Sequence, residues 1–318
     1  MARDPTISVL MPVRNSREYV ERAVKSILEQ SYSSFELIII DDQSEDRTSE
    51  LLRKLASGDS RIIVIRNQQW QGVTRSLNIG LSRARGDFIA RQDADDWSVA
   101  GRFESQLAYL QCYPDLALAG TWVTKVDHEG TFLEIKEWPT EPDQIKKSLL
   151  RKNVIAHGSV LGRRELFNRC GGYREVFEVS QDRDLWLRAA EQFRLGNVPE
   201  PLYSLRIHRG SVSASRKQAK RITGRVIRHC ADMRRNKGVD VFHTPYGGKA
   251  KPRINQQFRK VRSHRMLLSL SEHKGLSRVS KNLSMLVLCL TWWPANKPAW
   301  VELWWILKHA ARAVIRVV

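Results

Sequence analysis

Phe88–Trp97 reads FIARQDADDW. Three carboxylates, Asp93, Asp95 and Asp96, follow directly on a short apolar run, which sets an acidic cluster at the carboxyl end of a predicted strand. That end of a buried strand is where open α/β sheets bind ligands. Three acids within four residues repel one another, so a divalent cation or a set of basic side chains is needed to offset them. Oxygen-only ligands favour Mg or Mn. Such an ion commonly sits on nucleotide phosphates, so the chemistry indicated is a nucleotide-dependent transferase. The bland alternative is a polar loop that caps the helix starting near Arg102.

Upstream of the cluster, short apolar runs alternate with helical periodicity. Ile7 to Pro12 (ISVLMP) stops at a proline and suits a buried strand. Ser16 is placed to cap a helix with an apolar face of Val20, Val24, Ile27 and Leu28. Phe35 to Ile40 is a second strand ending in Asp41 and Asp42, Thr48 to Ala56 a helix, and Ile62 to Ile65 a third strand. Gly72 opens a helix to about Arg85, and Phe88 to Ala90 is the fourth strand. The alternation predicts βαβ units around a parallel sheet. Downstream, a helix from Arg102 to Tyr113 precedes two strands, Leu116 to Val126 and Thr131 to Trp138, joined through Asp127 to Gly130 as a hairpin. The sheet therefore turns mixed. Residues 139 to 214 alternate short helical and loop signals, and are expected to cover the open end of the sheet and complete a pocket.

Charge divides the 318-residue chain. Residues 1 to 214 carry 30 Lys/Arg and 30 Asp/Glu, whereas residues 215 to 318 carry 23 basic and 4 acidic residues, so the whole net charge of +19 lies in the last third. The hydrophobic fraction of 42% is that of a folded chain and excludes a disordered one. Cys112, Cys170, Cys230 and Cys289 form no metal-binding spacing and read as reduced thiols, and no signal peptide precedes Ile7, so a cytoplasmic location is expected. In the tail, Leu283 to Trp293 and Trp300 to Leu307 are interrupted at Pro294 and Pro298 and are too short for a bilayer span. Five tryptophans with flanking cations read instead as an interfacial segment on an anionic membrane surface. A helical subdomain with a tryptophan-rich core is the alternative.

Asp41 and Asp42 end the second strand as Asp95 follows the fourth, so carboxylates at successive strand ends line one crevice. Asp42 can there accept a hydrogen bond from a uracil imide or a ribose hydroxyl, while Ser44 or Asp46 caps the next helix. MPVRN near the start, DDQSEDRT after the second strand, GVTRSLNIGLSRARGDFIARQDADD through the fourth, and GGYRE with SQDRDLWLR downstream resemble the family 2 glycosyltransferases with a GT-A fold. The resemblance covers about residues 5 to 214 and stops before the basic third. It implies a GT-A type mixed sheet flanked by helices at 1–214; the basic helical region at 215–318 is read from its own charge and composition. The resemblance also implies an inverting transfer of a sugar from a nucleoside-diphosphate sugar, UDP first, to a glycan or lipid-linked acceptor. Pro12, Val13, Arg14, Asn15 and Asp42 would surround base and ribose. Asp93 and Asp95 match the outer acids of the DxD motif and would hold Mn or Mg, with Asp96 orienting the donor sugar. Ala100 stands where the family often has proline, which affects a turn rather than the chemistry.

Asp182, in Ser180–Arg188 (SQDRDLWLR), matches the family position of the general base, the carboxylate that takes the acceptor proton opposite the leaving group. Asp184 is its rival, but two helical residues lie about 200° apart, so both cannot face one acceptor. His208 resembles the histidine that completes the metal and diphosphate site in part of the family, with Arg206, Ser211 and Ser213 suited to a phosphate-contacting loop. His157 is a candidate for the acceptor side. A nucleotidyltransferase would need a glycine-rich basic loop that MPVRNSRE lacks. A nucleic-acid-binding role is confined to the basic last third, because the acidic-cluster region is neutral.

Overall fold

The computed structural model describes residues 5–208, 217–238, 240 and 242, all within one compact unit that spans residues 1–247. Ile7–Val13 (β1), Phe35–Asp41 (β2), Ile62–Arg66 (β3) and Phe88–Arg91 (β4) run parallel in the order β3-β2-β1-β4. The sheet continues through Leu161–Arg163 (β8), Leu116–Val126 (β6), Arg194–Arg206 (β9) and Trp97–Ser98 (β5), with Phe132–Lys136 (β7) beside β6. β8 is antiparallel to both β4 and β6, and β9 is parallel to β6, so the sheet is mixed as expected. β6 and β7 form the predicted hairpin, closed where Asp127 Oδ1 accepts from the amides of Glu129, Gly130 and Thr131.

Strand alternation sorts the core into two layers. Ile7, Val9, Met11, Leu37 and Ile39 face Val20–Leu28 (α1), Thr48–Gly58 (α2) and Arg102–Cys112 (α4) through Val24, Ile27, Leu52 and Phe103. Leu10, Ile38 and Ile40 face Val73–Arg83 (α3) through Leu77. The same side carries Pro142–Leu149 (α5), Arg164–Arg169 (α6), Gln181–Gln192 (α7) and Lys217–Lys237 (α8), through Ile145, Phe167, Trp186 and Ile227. A fully buried side chain of this size contributes about 1.5–3 kcal/mol, and a one-residue slip would turn each strand's apolar set to the wrong layer.

Register then decides where the polar ends meet. Val13 pairs with Asp41, Asp42 N donates to Val13 O, and Gln92 N donates to Leu10 O. Pro12–Asn15, Asp41–Asp42 and Gln92–Asp96 therefore emerge on one edge of the sheet. The expected Ser16 cap is not formed: α1 begins at Val20, and the Ser16 hydroxyl donates to Arg14 O instead. Its amide is spent on Thr48 Oγ1, because the loop after β1 is tied sideways to the start of α2 rather than to α1.

α8 opens the basic region and packs on α7, where the Arg234 guanidinium meets both oxygens of Glu191. Among the described residues no helix is long and apolar enough to cross a membrane. Cys112, Cys170 and Cys230 are free thiols. Ser211, Ser213, Cys289 and the tryptophan-rich tail lie outside the described residues.

Candidate active site

The loop after β4 is held by long-range partners. Tyr203 of β9 donates from its hydroxyl to Asp96 Oδ2 at 2.8 Å and accepts from Asp93 N at 3.1 Å. Arg206 N donates to Asp96 Oδ1 at 2.7 Å, and Arg206 Nε donates to Asp95 O at 3.0 Å. Asp96 is buried, and burial pushes its carboxyl well above the ordinary carboxylate range, with Asp95 and Asp93 adding to the shift. Asp96 is thus a buried anchor of the loop. Gly158 is required beneath it, since a Cβ there would lie 2.0 Å from the Tyr203 hydroxyl and 2.9 Å from Asp93 Oδ2.

The charge expected to offset the acids comes partly from the chain. Arg91, at the end of β4 and buried, pairs with Asp93. Burial works most strongly on the Arg91 cation and lowers its pKa, but Asp93 with Tyr203 and Tyr173 together outweigh it and raise the pKa. Burial likewise raises the Asp93 carboxyl, with Arg91 opposing. Arg102, fully buried, donates to Arg91 O and Gly158 O, and burial lowers its pKa to about 10. Sequence reading missed Arg91 and Tyr203. Arg91 left a signal, a cation closing an apolar strand; Tyr203 left none.

Asp95 and His208 converge on the other side of the loop, with Asp95 Oδ2 2.9 Å from His208 Nε2. The Tyr19 ring lies 5.4 Å from the imidazole. A carboxylate and an imidazole fit Mn, an ion that takes its remaining ligands from substrate phosphates and water. The described residues hold no group of three or more acids, histidines or cysteines placed to hold a metal ion. Asp93 is engaged with Arg91 instead. Arg206, expected at the phosphates, is 6% exposed, and its guanidinium is spent on Asp95 O and His128 O between the Tyr19 and Trp97 rings. It braces the acidic loop.

Asp42 is also engaged. Its Oδ1 accepts from Asn67 Nδ2 and Gln71 N, each at 2.8 Å, and its Oδ2 from Gly72 N at 2.7 Å, which ties the loop before α3 to the end of β2. Beside it Asn15, at a positive φ of 48°, receives Glu45 N on Oδ1 and donates its own amide to Ser44 Oγ. Pro12 and Val13 end β1, and the Arg14 guanidinium lies 5.4 Å from the centre of the exposed Trp70 ring. Asp41 binds the Ser49 hydroxyl and Ser44 N, a turn-closing role.

A cavity of about 590 Å³ joins the two halves, lined by both Asp93 and Asp182 and by His157. Asp182, in the first turn of α7, accepts from Asn153 Nδ2 on Oδ2 at 2.6 Å and from Arg183 N on Oδ1 at 2.8 Å. Burial raises its pKa; the Arg183 amide, Lys220 and Arg91 oppose the shift. His157 bonds the Tyr173 hydroxyl at 2.8 Å, and burial holds its pKa far below the ordinary imidazole range, so it is neutral. Asp184 points away, as helix geometry requires. It is fully buried and paired with Arg174 and Arg188, the latter also bonded to Cys170 O and Gly172 O. That network fixes the turn at Gly171 and Gly172, whose φ values of 71° and 65° favour glycine.

The family model for Glycosyl transferase family 2 matches residues 8–171, from β1 through the turn at Gly171. The chain is 35% identical over 211 residues to the putative glycosyltransferase EpsE of Bacillus subtilis, covering 65% of this chain and 74% of that one. It is 32% identical over 213 residues to the O-antigen biosynthesis glycosyltransferase WbnJ of Escherichia coli, covering 66% and 82%. Two solved structures share the fold. S. aureus TarS 1-349 in complex with UDP-GlcNAc superposes with a TM-score of 0.63 at 14% identity, over 90% of this chain and 81% of that one. The mannosyltransferase PcManGT from Pyrobaculum calidifontis, in complex with GDP-Man and Mn2+, gives 0.56 at 18%, over 98% and 87%. The GT-A architecture seen here and these matches together establish that the chain belongs to the family 2 glycosyltransferases.

Proposed function

We propose that this glycosyltransferase moves a sugar from a nucleoside-diphosphate sugar to an acceptor hydroxyl by one in-line displacement that inverts the anomeric carbon. The observation that carries the reading is a cavity lined by both Asp93 of the acidic loop and Asp182. In the step, the acceptor oxygen bonds to the anomeric carbon as the bond to the diphosphate oxygen breaks. Asp182 takes the acceptor proton, and the electron pair leaves on the nucleoside diphosphate. Neutral His157 beside Asp182 is a hydrogen-bond partner for the acceptor.

Asp95 and His208 would hold Mn or Mg, which supplies positive charge to the leaving diphosphate when bound. Asp93, braced by Arg91, and Asp96, fixed by Tyr203 and Arg206, orient the donor sugar. Pro12–Asn15, Asp42 and the loop it holds form the base and ribose side. Asp42 Oδ2 accepts one bond, which leaves it a lone-pair site for the imide N–H that uracil and thymine share, with UDP the first candidate. WbnJ is named for O-antigen biosynthesis, which supports a cell-surface glycan or glycolipid as the product, made at the cytoplasmic face of a membrane. Residues 1–214 carry the donor machinery and Asp182, with the basic region appended from 215.

Calorimetric titration with UDP, GDP and dTDP, each with Mn and again with a chelator, tests the reading. Metal-dependent binding of UDP is expected. A folded protein that binds none of the three would overturn it.

A further inference from the structure

Much of the lining of the cavity is cationic. Arg221, Arg225 and Arg228 of α8 line it at spacings of four and three, hence on one face of the helix. Thr223, Ile227, Cys230 and Ala231 on the other face are buried in the protein. Arg151 and Lys152, exposed on the loop after α5, line the same space next to Asn153 and Asp182. Among the described lining residues, eight cationic side chains stand against three carboxylates.

Nearby arginines show what a structural role looks like in this part of the fold. Arg174 and Arg188 are paired with Asp184, and Arg234 with Glu191. Among the described residues no carboxylate forms an ion pair with Arg151, Arg221, Arg225 or Arg228. Like charges at i and i+4, as at 221 and 225, work against a helix. Arg228 also adds to the lowering of the Arg183 pKa, which burial drives first. A bound anion would offset that concentration of charge.

The donor's diphosphate is not a candidate for this lining if Asp95 and His208 take it, since neither of them lines the cavity. Asp182 does, so an anion seated here belongs to the acceptor. Resting on the reading of Asp182 as the base, we infer that the acceptor carries a phosphate or diphosphate group near its reacting hydroxyl, held by Arg221, Arg225 and Arg228 of α8 with Arg151. Several guanidinium forks converging on one space suit phosphate oxygens, which carry more charge than one carboxylate and accept bidentate bonds. The basic start of the C-terminal region is on this account part of the acceptor site.

The test uses the full chain in chelator, so that no metal recruits phosphate to Asp95. Inorganic pyrophosphate, farnesyl diphosphate and neutral octyl glucoside below its micelle concentration are titrated calorimetrically into three proteins. These are the unaltered protein, Arg225→Gln/Arg228→Gln, and Arg53→Gln/Lys54→Gln, which removes equal charge from the exposed face of α2. Both phosphates are expected to bind, about tenfold or more weakly to the α8 variant, with the α2 variant unchanged and octyl glucoside inert. Equal affinity for the two phosphates assigns recognition to the phosphate alone. Tighter farnesyl diphosphate assigns a lipid-borne acceptor. Phosphate binding equal in both variants, or octyl glucoside binding as well as farnesyl diphosphate, overturns the inference. UDP with Mn is titrated in parallel: its binding undiminished in the α8 variant keeps the donor reading standing whichever way the phosphates fall. Its absence from all three proteins removes the donor reading independently.

Discussion

Replacing Asp182 by Asn separates chemistry from folding and from donor binding. A positioned general base contributes about 10²–10⁴ in rate, or about 3–5 kcal/mol of barrier at 1.36 kcal/mol per tenfold. The structural cost is far smaller. The substituted side chain would keep the bond from Arg183 N on its carbonyl but turn its amide nitrogen toward Asn153 Nδ2, which now donates to Asp182 Oδ2 at 2.6 Å. Asn153 can flip its own amide, giving up the 3.3 Å bond from Ile155 N. One such bond is worth about 1 kcal/mol, against a total stability of roughly 5–15 kcal/mol. Neither Asp95 nor His208 touches Asp182, so metal-dependent nucleotide binding should hold within a factor of about two. Product formation is measured by chromatography from pH 4 to 8, and nucleotide affinity by calorimetry on the same preparation. Because burial raises the Asp182 pKa, the wild-type rate should fall as pH drops through that raised value, above the range where a free aspartate titrates. The residual rate of the variant should lack this acid limb. Retention of more than a tenth of the rate, or equal loss of rate and nucleotide affinity, would remove Asp182 from the role.

Asp184→Ala strips the partner from two buried arginines and should cost about 3–5 kcal/mol, read as a lower urea midpoint; an unchanged midpoint would show that the network carries no stability. Asp95→Ala should erase the difference in nucleotide affinity between Mn and chelator, and persistence of that difference would exclude Asp95 as a ligand. Tyr203→Phe leaves buried Asp96 Oδ2 and Asp93 N short of a partner, at about 1–3 kcal/mol. It should weaken metal-dependent nucleotide binding without touching the midpoint shift of Asp184→Ala; full affinity in Tyr203→Phe would mean the loop is held by Arg206 alone.

The first half of the fold was legible because each element there announces itself locally. The four parallel strands and α1 to α4 match their sequence boundaries within a few residues, since apolar runs and 3.6-residue periodicity are set by which layer each side chain enters. The separation of Asp182 from Asp184 was likewise readable from helix geometry alone. β5 and β8, of two and three residues, are too short to leave a period. β9 carries Pro199 and Pro201, which argue against a strand, and the register against β6 shifts next to Pro201, which is where a strand tolerates proline. The brace under the acidic loop was illegible for a different reason. Tyr203 and Arg206 meet Asp93, Asp95 and Asp96 across some 110 residues of chain, and nothing local marks such a pairing.

That brace also explains how three neighbouring acids can share one loop and do different things. Burying an unpaired carboxylate is costly, so the chain treats each acid separately. Asp96 goes inside, fixed by a tyrosine hydroxyl and a backbone amide, and its raised pKa favours the uncharged form. Asp93 is set against buried Arg91, which keeps a formal pair at the cavity rim. Asp95 turns its carboxylate to His208, with its side chain 31% exposed, while Asp93, 36% exposed, is answered by the Arg91 guanidinium. A loop with three equivalent outward carboxylates would repel the nucleotide it has to bind. The cavity's α8 arginines, which among the described residues form no ion pair with a carboxylate, offer the opposite charge on the proposed acceptor side. On the proposed reading, the donor's diphosphate is held at Asp95 and His208, outside this cavity, and the acceptor's anion within it, so the two anions occupy separate sites with Asp182 on the acceptor side.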